Sequence, residues 1–293
     1  MTLDQPASNA IVSPPGELLA ALRRIPELAL QDLSIARIFR LKGLSNLNYL
    51  VELPTGGLVV RLARPAPGSY ANRDDEIAAA RLAERLGLGP KLVFTDAASG
   101  LMVSEFVRRA RLPGRNAAAL SRMGAALGML HRSGETLPGR YDIFAVIARY
   151  EALLLAKGRA QPDWPSTVKQ RRATSEVLLK TSARPMAPCH NDPVPENFLE
   201  LGDRALLIDW EYAGMNDPAF DLADLSLEVE LTPDAEHTLL TAHGEAHTHD
   251  PLLPTFKFLI CVMSALWGRL HEPGAGRQEW AKQREAMAAG FCA

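Results

Sequence analysis

The chain has 293 residues, 47% hydrophobic and 23% charged, the composition of a globular protein with one or two domains and a large core. Its formal net charge of -2 provides no basic field for nucleic acid or anionic lipid. Cys189, Cys261 and Cys292 are widely spaced and form no C-x-x-C pair, so neither a disulfide framework nor a zinc site is expected, and a reducing cytoplasm fits.

Residues 1–16 are rich in Pro, Ser and Ala and lack a basic start followed by an apolar core. They read as a loose segment rather than a secretory signal. A short helix is expected over 17–24, then β-compatible runs at 34–41 and 47–53. Pro54-Thr55-Gly56-Gly57 reads as a hairpin turn, with 58–62 as the return strand. A helix over 72–87 follows, with Asn72 as N-cap, Gly87 as C-cap and Ile77, Ala80, Ala83 and Leu86 as its core stripe. Strands at 91–95 and 101–106 complete a β-rich first part. Helices are expected over 116–132, 142–156 and 166–180, a small hairpin turns at Gly202-Asp203, and helices return over 219–230, 233–247, 252–270 and 276–289. The 252–270 run is the most apolar, but Pro254, Lys257 and Arg269 interrupt or end it. It falls short of the roughly 20 residues a spanning helix needs, so a buried core helix is expected and no membrane partner.

The densest signal lies at His190-Asn191-Asp192-Pro193-Val194-Pro195-Glu196-Asn197, followed by Asp209 at the end of the apolar run 206–208. Phosphoryl transfer needs a carboxylate to orient and deprotonate the attacking hydroxyl, and an amide and a second carboxylate to hold magnesium. Asp192 fits the first role, and Asn197 and Asp209 the second. His190 reads as a brace for the loop backbone, not as the base. Arg61 lies mid-strand among apolar residues, where a charge needs a partner, and Glu76 on the next helix is the expected one. The loop Gly43-Leu44-Ser45-Asn46-Leu47-Asn48-Tyr49 offers backbone N–H groups and the short side chains of Ser45 and Asn46 to phosphates. The expected fold class is therefore α+β, a two-lobe protein-kinase-like fold. The N-lobe would span 1–105, the C-lobe 106–293, and the hinge would lie at Glu105-Phe106-Val107, where backbone groups of Glu105 and Val107 would read the nucleotide base.

These residues resemble the choline/ethanolamine kinases, of the aminoglycoside-phosphotransferase-like branch of the kinase fold, and the bacterial choline kinases in particular. The resemblance rests on the 43–49 loop, Arg rather than Lys at position 61, the 190–197 motif and Ile208-Asp209-Trp210-Glu211-Tyr212-Ala213-Gly214, and spans residues 38–270. It implies ATP, Mg²⁺ and transfer of the γ-phosphoryl to the hydroxyl of a small amino alcohol, choline foremost. It implies that Arg61 and Glu76 order the phosphates, that Asp221 supports the catalytic loop from below, and that Glu211, Tyr212, Glu228 and Trp267 face the acceptor. A quaternary ammonium donates no hydrogen bonds and is best held by rings and carboxylates. Leu270 and Val229 stand where aromatic residues are common in the family, which keeps ethanolamine in play, since a primary ammonium needs hydrogen-bond acceptors more than rings. Thiamine, methylthioribose or an aminoglycoside are further alternatives. A non-catalytic pseudokinase fits less well, because the catalytic set is complete; no D-F-G or A-P-E landmark suggests a protein kinase.

His237, His243, His247 and His249 form a local cluster, read as a solvated helix end because no accompanying Glu or Cys completes a zinc pattern. Arg108, Arg109, Arg111 and Arg115 read as a solvated linker past the hinge. The sequence leaves the oligomeric state open.

Overall fold

The computed structural model describes residues 14–26, 28, 33–41, 46–64, 72–182, 184–244, 250–271 and 276–292. Ser45, His247, His249 and residues 1–13 of the expected loose segment lie outside them.

The first helix, α1 (Gly16–Leu22), buries Leu18, Ala21 and Leu22, spaced i, i+3, i+4, against the first sheet. Expected strand 34–41 is shorter: a 3₁₀ turn, Leu33–Ile35, precedes β1 (Arg37–Arg40). β2 (Leu47–Leu53) and β3 (Gly56–Leu62) form a hairpin in which Leu53 pairs with Gly56, so Pro54 and Thr55 alone make the turn. β4 (Leu92–Asp96) and β5 (Leu101–Glu105) finish an antiparallel sheet of order β1-β2-β3-β5-β4. Arg61 thus sits on the central strand, opposite Asn48 and Met102.

Between β3 and β4, α2 (Arg73–Arg85) starts at Asn72, whose side chain accepts from the Asp74 N–H at 3.0 Å. Its buried face is rotated from the expected stripe. Glu76, Ala79, Ala80 and Ala83 point inward, while Ile77 and Leu86 are half-buried. The rotation brings Glu76 to the interior because Arg61 waits there, and an ion-paired Glu can be buried where a lone one cannot. The alanines join the core of the helical part, so α2 packs between sheet and helices.

The helical part contains α3 (Ala117–His131), α4 (Ile143–Ala156), α5 (Ser166–Thr181), α6 (Pro218–Glu228), α7 (Pro233–His243), α8 (Leu253–Leu270) and α9 (Arg277–Gly290). Two ribbons cross it: β6 (Ala187–Cys189) with β9 (Gly214–Asn216), and β7 (Phe198–Leu201) with β8 (Arg204–Leu207). On α3, Gly124 and Gly128 let α7 approach: a Cβ there would stand 2.5 Å from the Leu239 carbonyl and 2.3 Å from that of His243. One turn on, His131 meets His243. α7 therefore ends at His243, not 247, with Gly244 at φ 149°, and His243 is 1% exposed rather than solvated as expected. Its imidazole is buried because it has a buried partner. α8 is long and apolar enough to cross a membrane by length and composition, but 72% of it is buried in the core, as expected of a core helix.

Candidate active site

The loop before the first 3₁₀ turn of the helical part, Pro195–Asn197, is clamped by one carboxylate. Asp221, fully buried on α6, accepts the N–H groups of His190 and Asn191, each at 2.8 Å, and lies 2.9 Å from His131 Nε2. With Nε2 turned to Asp221, the Nδ1 of His131 faces His243 Nε2, 2.8 Å away, so both ring nitrogens are engaged. This saturation argues against reading the buried group His131, Cys189 and Asp221 as a metal site. Asn191 takes the left-handed region (φ 62°), which Asn tolerates, and its amide donates to the Tyr212 carbonyl at 3.0 Å. Burial holds the His190 imidazole below its ordinary range, so it stays neutral and donates through Nε2 to the Ile208 carbonyl at 2.9 Å. That contact fixes the loop to the strand end that presents Asp209, in the bracing role expected of His190.

Asp192 and Asn197 face each other: Asn197 Nδ2 donates to the Asp192 carbonyl at 2.9 Å and to its Oδ2 at 3.2 Å. Asp209 takes φ 66°, and its Oδ1 is buried without a hydrogen-bond partner, with Arg61 Nη1 at 3.7 Å. An orphaned carboxylate oxygen next to an amide oxygen donor suits a hard cation that prefers oxygen ligands, so Asn197 and Asp209 fit Mg²⁺. Burial, then Glu211, pushes the Asp209 carboxyl up to about 7.

Across the cleft, Arg61 pairs with buried Glu76, and Arg73 Nη1 donates to the other Glu76 oxygen at 2.7 Å. Burial alone would raise Glu76, but the two guanidiniums, Arg61 first, hold it below its ordinary value. Arg73 also reaches Glu211 at 4.0 Å, and Asn46 Nδ2 stands 3.5 Å from the same carboxylate. Glu105 is exposed and pairs with Lys91 at 2.9 Å, and its own N–H donates to the Lys91 carbonyl. Val107 is half-buried just past the sheet, its carbonyl accepting from Ala110.

On the other side of Asp192 the charges that act on it are all negative. Burial first, then Asp224, Asp209, Glu211 and Glu228, drive the Asp192 carboxyl far above its ordinary value. Asp224 is itself 6% exposed and pushed up by burial and Glu228. Tyr150 and Tyr212 are raised by burial first and then by Asp192 and Glu211 respectively, so both rings border the same carboxylates. Trp267 is half-buried and stacks on His271 at 4.1 Å and Trp280 at 5.7 Å, with Arg277 over its ring at 5.7 Å. Val229 and Leu270 are buried in the helical core.

Residues 36–256 match the phosphotransferase enzyme family. The chain belongs to that family. Within it, the chain is a member of the choline/ethanolamine kinases, which are small-molecule kinases. It is 30% identical to protein LicA of Haemophilus influenzae strain Rd over 211 residues, 68% of this chain and 76% of that protein. A second H. influenzae LicA, 29% identical, is matched over 69% of this chain and 60% of its own length. Among solved structures, a choline/ethanolamine kinase family protein from Mesorhizobium loti superposes with TM-score 0.77 at 29% identity, covering 94% of this chain and 93% of the other. Choline kinase LicA from Streptococcus pneumoniae gives 0.79 at 26%, covering 94% and 99%. LicA in complex with AMP gives 0.74 at 26%, covering 94% and 100%. The fold of the choline/ethanolamine kinases is thus the fold of this chain.

Four residues of the cleft escape sequence reasoning. Arg73 carries a usable signal, i, i+3 from Glu76. Asp224 does too, lying between Asp221 and Glu228 on the face of one helix. Tyr150 and Arg284 carry none, because only packing of α4 and α9 on α8, which itself packs on α6, brings them near.

Proposed function

We propose that this protein moves the γ-phosphoryl of Mg·ATP to the hydroxyl of a small cationic amino alcohol, choline foremost. One observation carries the reading: the Asp192 carboxylate, adjacent to Asn197 and Asp209, is also surrounded by Asp224, Glu211 and Glu228. Such a carboxyl tends to hold its own proton until positive charge arrives to release it, and an ammonium acceptor and magnesium both bring that charge. Asp192 would then accept the hydroxyl proton at its carboxylate. Arg61, held straight by Glu76, and Arg73 would meet the phosphates, with Asn46 and Ser45 beside them and the Glu105–Val107 backbone on the base. Asn197 and Asp209 would hold Mg²⁺, which neutralises charge on the phosphates when bound. Glu211, Glu228, Tyr212 and Tyr150 would line the acceptor side, with Trp267 behind them.

Ethanolamine is the second reading, favoured because several carboxylates act on Asp192 while the Trp267 ring is already covered by His271, Trp280 and Arg277. The LicA–AMP complex supports a nucleotide site in this fold. We further propose residues 1–105 and 106–293 as the two lobes and the cytoplasm, where ATP and reduced cysteines coexist, as the location. Purified protein should release ADP when offered Mg·ATP and choline, and stop when the metal is chelated. Silence on choline, ethanolamine, thiamine, methylthioribose and kanamycin alike would sink the assignment.

A further inference from the structure

The acceptor side of the cleft contains a cation of its own. Arg284, on α9, is 5% exposed, and its Nη2 donates to Glu228 Oε1 at 2.5 Å. Its Nη1 is buried without a hydrogen-bond partner. The guanidinium lies over the Trp280 ring, 5.0 Å from the centroid. An acid and an indole face around a positive group are the elements of an ammonium site. Here a side chain fills it. Asp224, four residues before Glu228 on α6, lies within the field of the same guanidinium, and both acids act on Asp192. Glu228, which holds the guanidinium, is thus also one of the acids that act on Asp192. Arg284 thus stands between Glu228 and the Trp280 indole, and Trp280 in turn packs edge-on against Trp267, whose ring carries Arg277.

We propose that Arg284 is a specificity-determining residue: its guanidinium is a resident cation that occupies a second ammonium subsite beside Glu228 and restricts the acceptor to one positive charge. Glu228 is then spent on Arg284, and a single ammonium is left for Asp224 and the tyrosines. An acceptor bearing a second ammonium would bring that group against the guanidinium, at a like-charge cost that low dielectric enlarges.

The inference rests on the phosphotransferase reading above, and the test separates the two. Initial rates of ADP release are measured with a size-matched pair, 1-aminobutan-2-ol (one ammonium) and 1,3-diaminopropan-2-ol (two). The wild type should favour the first in kcat/KM. Arg284→Met keeps the volume and removes the charge; the preference should shrink by about tenfold or invert. Arg284→Lys keeps the charge and should keep the preference. A folded Arg284→Met with wild-type selectivity, or a Lys variant that behaves like Met, overturns the proposal. If Arg284→Met does not fold, Glu228→Gln carries the test. It leaves the guanidinium uncompensated, so the two-ammonium acceptor should lose more than the one-ammonium acceptor; equal losses overturn the idea. A wild type inactive on both and on choline is instead a failure of the functional reading.

Discussion

The two walls of the cleft handle charge in opposite ways. On the sheet side, Arg61 and Arg73 close on Glu76, and both oxygens of that buried carboxylate are occupied. On the helical side, Arg284 pairs with Glu228 and acts on Asp224, while Asp192 feels only like charges. One wall has its carboxylate fully paired, with positive charge to spare, before any ligand arrives; the other is short of cations. A fully paired carboxylate is rigid and suits positioning of a polyphosphate. A deficit of cations raises carboxyl pKa values and stores an affinity for positive ligands. In the proposed function, the sheet-side wall would take the nucleotide and the cation-poor wall an ammonium acceptor.

The largest expected effect comes from breaking the acidic wall at its centre. Asp192→Asn should lower kcat by about 10³-fold, within the range for a general base, while the melting temperature holds or rises because a buried carboxyl burdened by like charges is gone. Turnover near wild type would remove Asp192 from the chemistry. Next, the paired wall should break when only one partner goes. Glu76→Gln leaves two guanidiniums against a neutral group and should cost about 3–5 kcal/mol in urea unfolding. The double change Arg61→Met with Glu76→Leu should recover most of that stability but not ATP affinity. If the single variant is as stable as wild type, the pair does not hold the wall together.

A smaller effect sits between the walls, at Asp209. Its folded carboxyl titrates near 7, above the ordinary value of about 3.9. The native state thus keeps a proton that the unfolded chain has released, and its contribution to stability falls as pH rises from about 4 towards 7. Compared with Asp209→Asn in magnesium-free buffer, the melting temperature of the wild type should fall steadily as pH rises from about 4 to about 7 and level off by about pH 8. A difference that does not change with pH would mean that Asp209 is already ionised in the fold. The smallest effect belongs to Asn46, whose contact with Glu211 is long. Asn46→Ala should change stability by at most about 1 kcal/mol, with any kinetic change confined to the KM for ATP; a loss in kcat would move Asn46 into the transition state.

The chemistry was legible where it is local. The 190–197 motif and Asp209 lie within one short stretch of chain, and hydrogen bonds between near neighbours hold it, so spacing in sequence is spacing in space. The Arg61–Glu76 pair was also legible, because a charge in an apolar strand demands a partner and the next helix offers one. Family membership followed from these motifs. Three things were settled by packing. The rotation of α2 depends on the burial of Glu76. The fate of His243 depends on Gly124 and Gly128, since two missing side chains on α3 let α7 close and turn an expected surface imidazole into the second member of a buried chain to Asp221. The charge balance of the acceptor wall depends on α9, which delivers Arg284 to Glu228 from 56 residues away. Sequence by itself fixed which groups could do chemistry, since reactivity belongs to residue types and local order. Only the tertiary structure decided which of them are neutralised, because electrostatic energy depends on distance and burial, and neither is written in the order of residues.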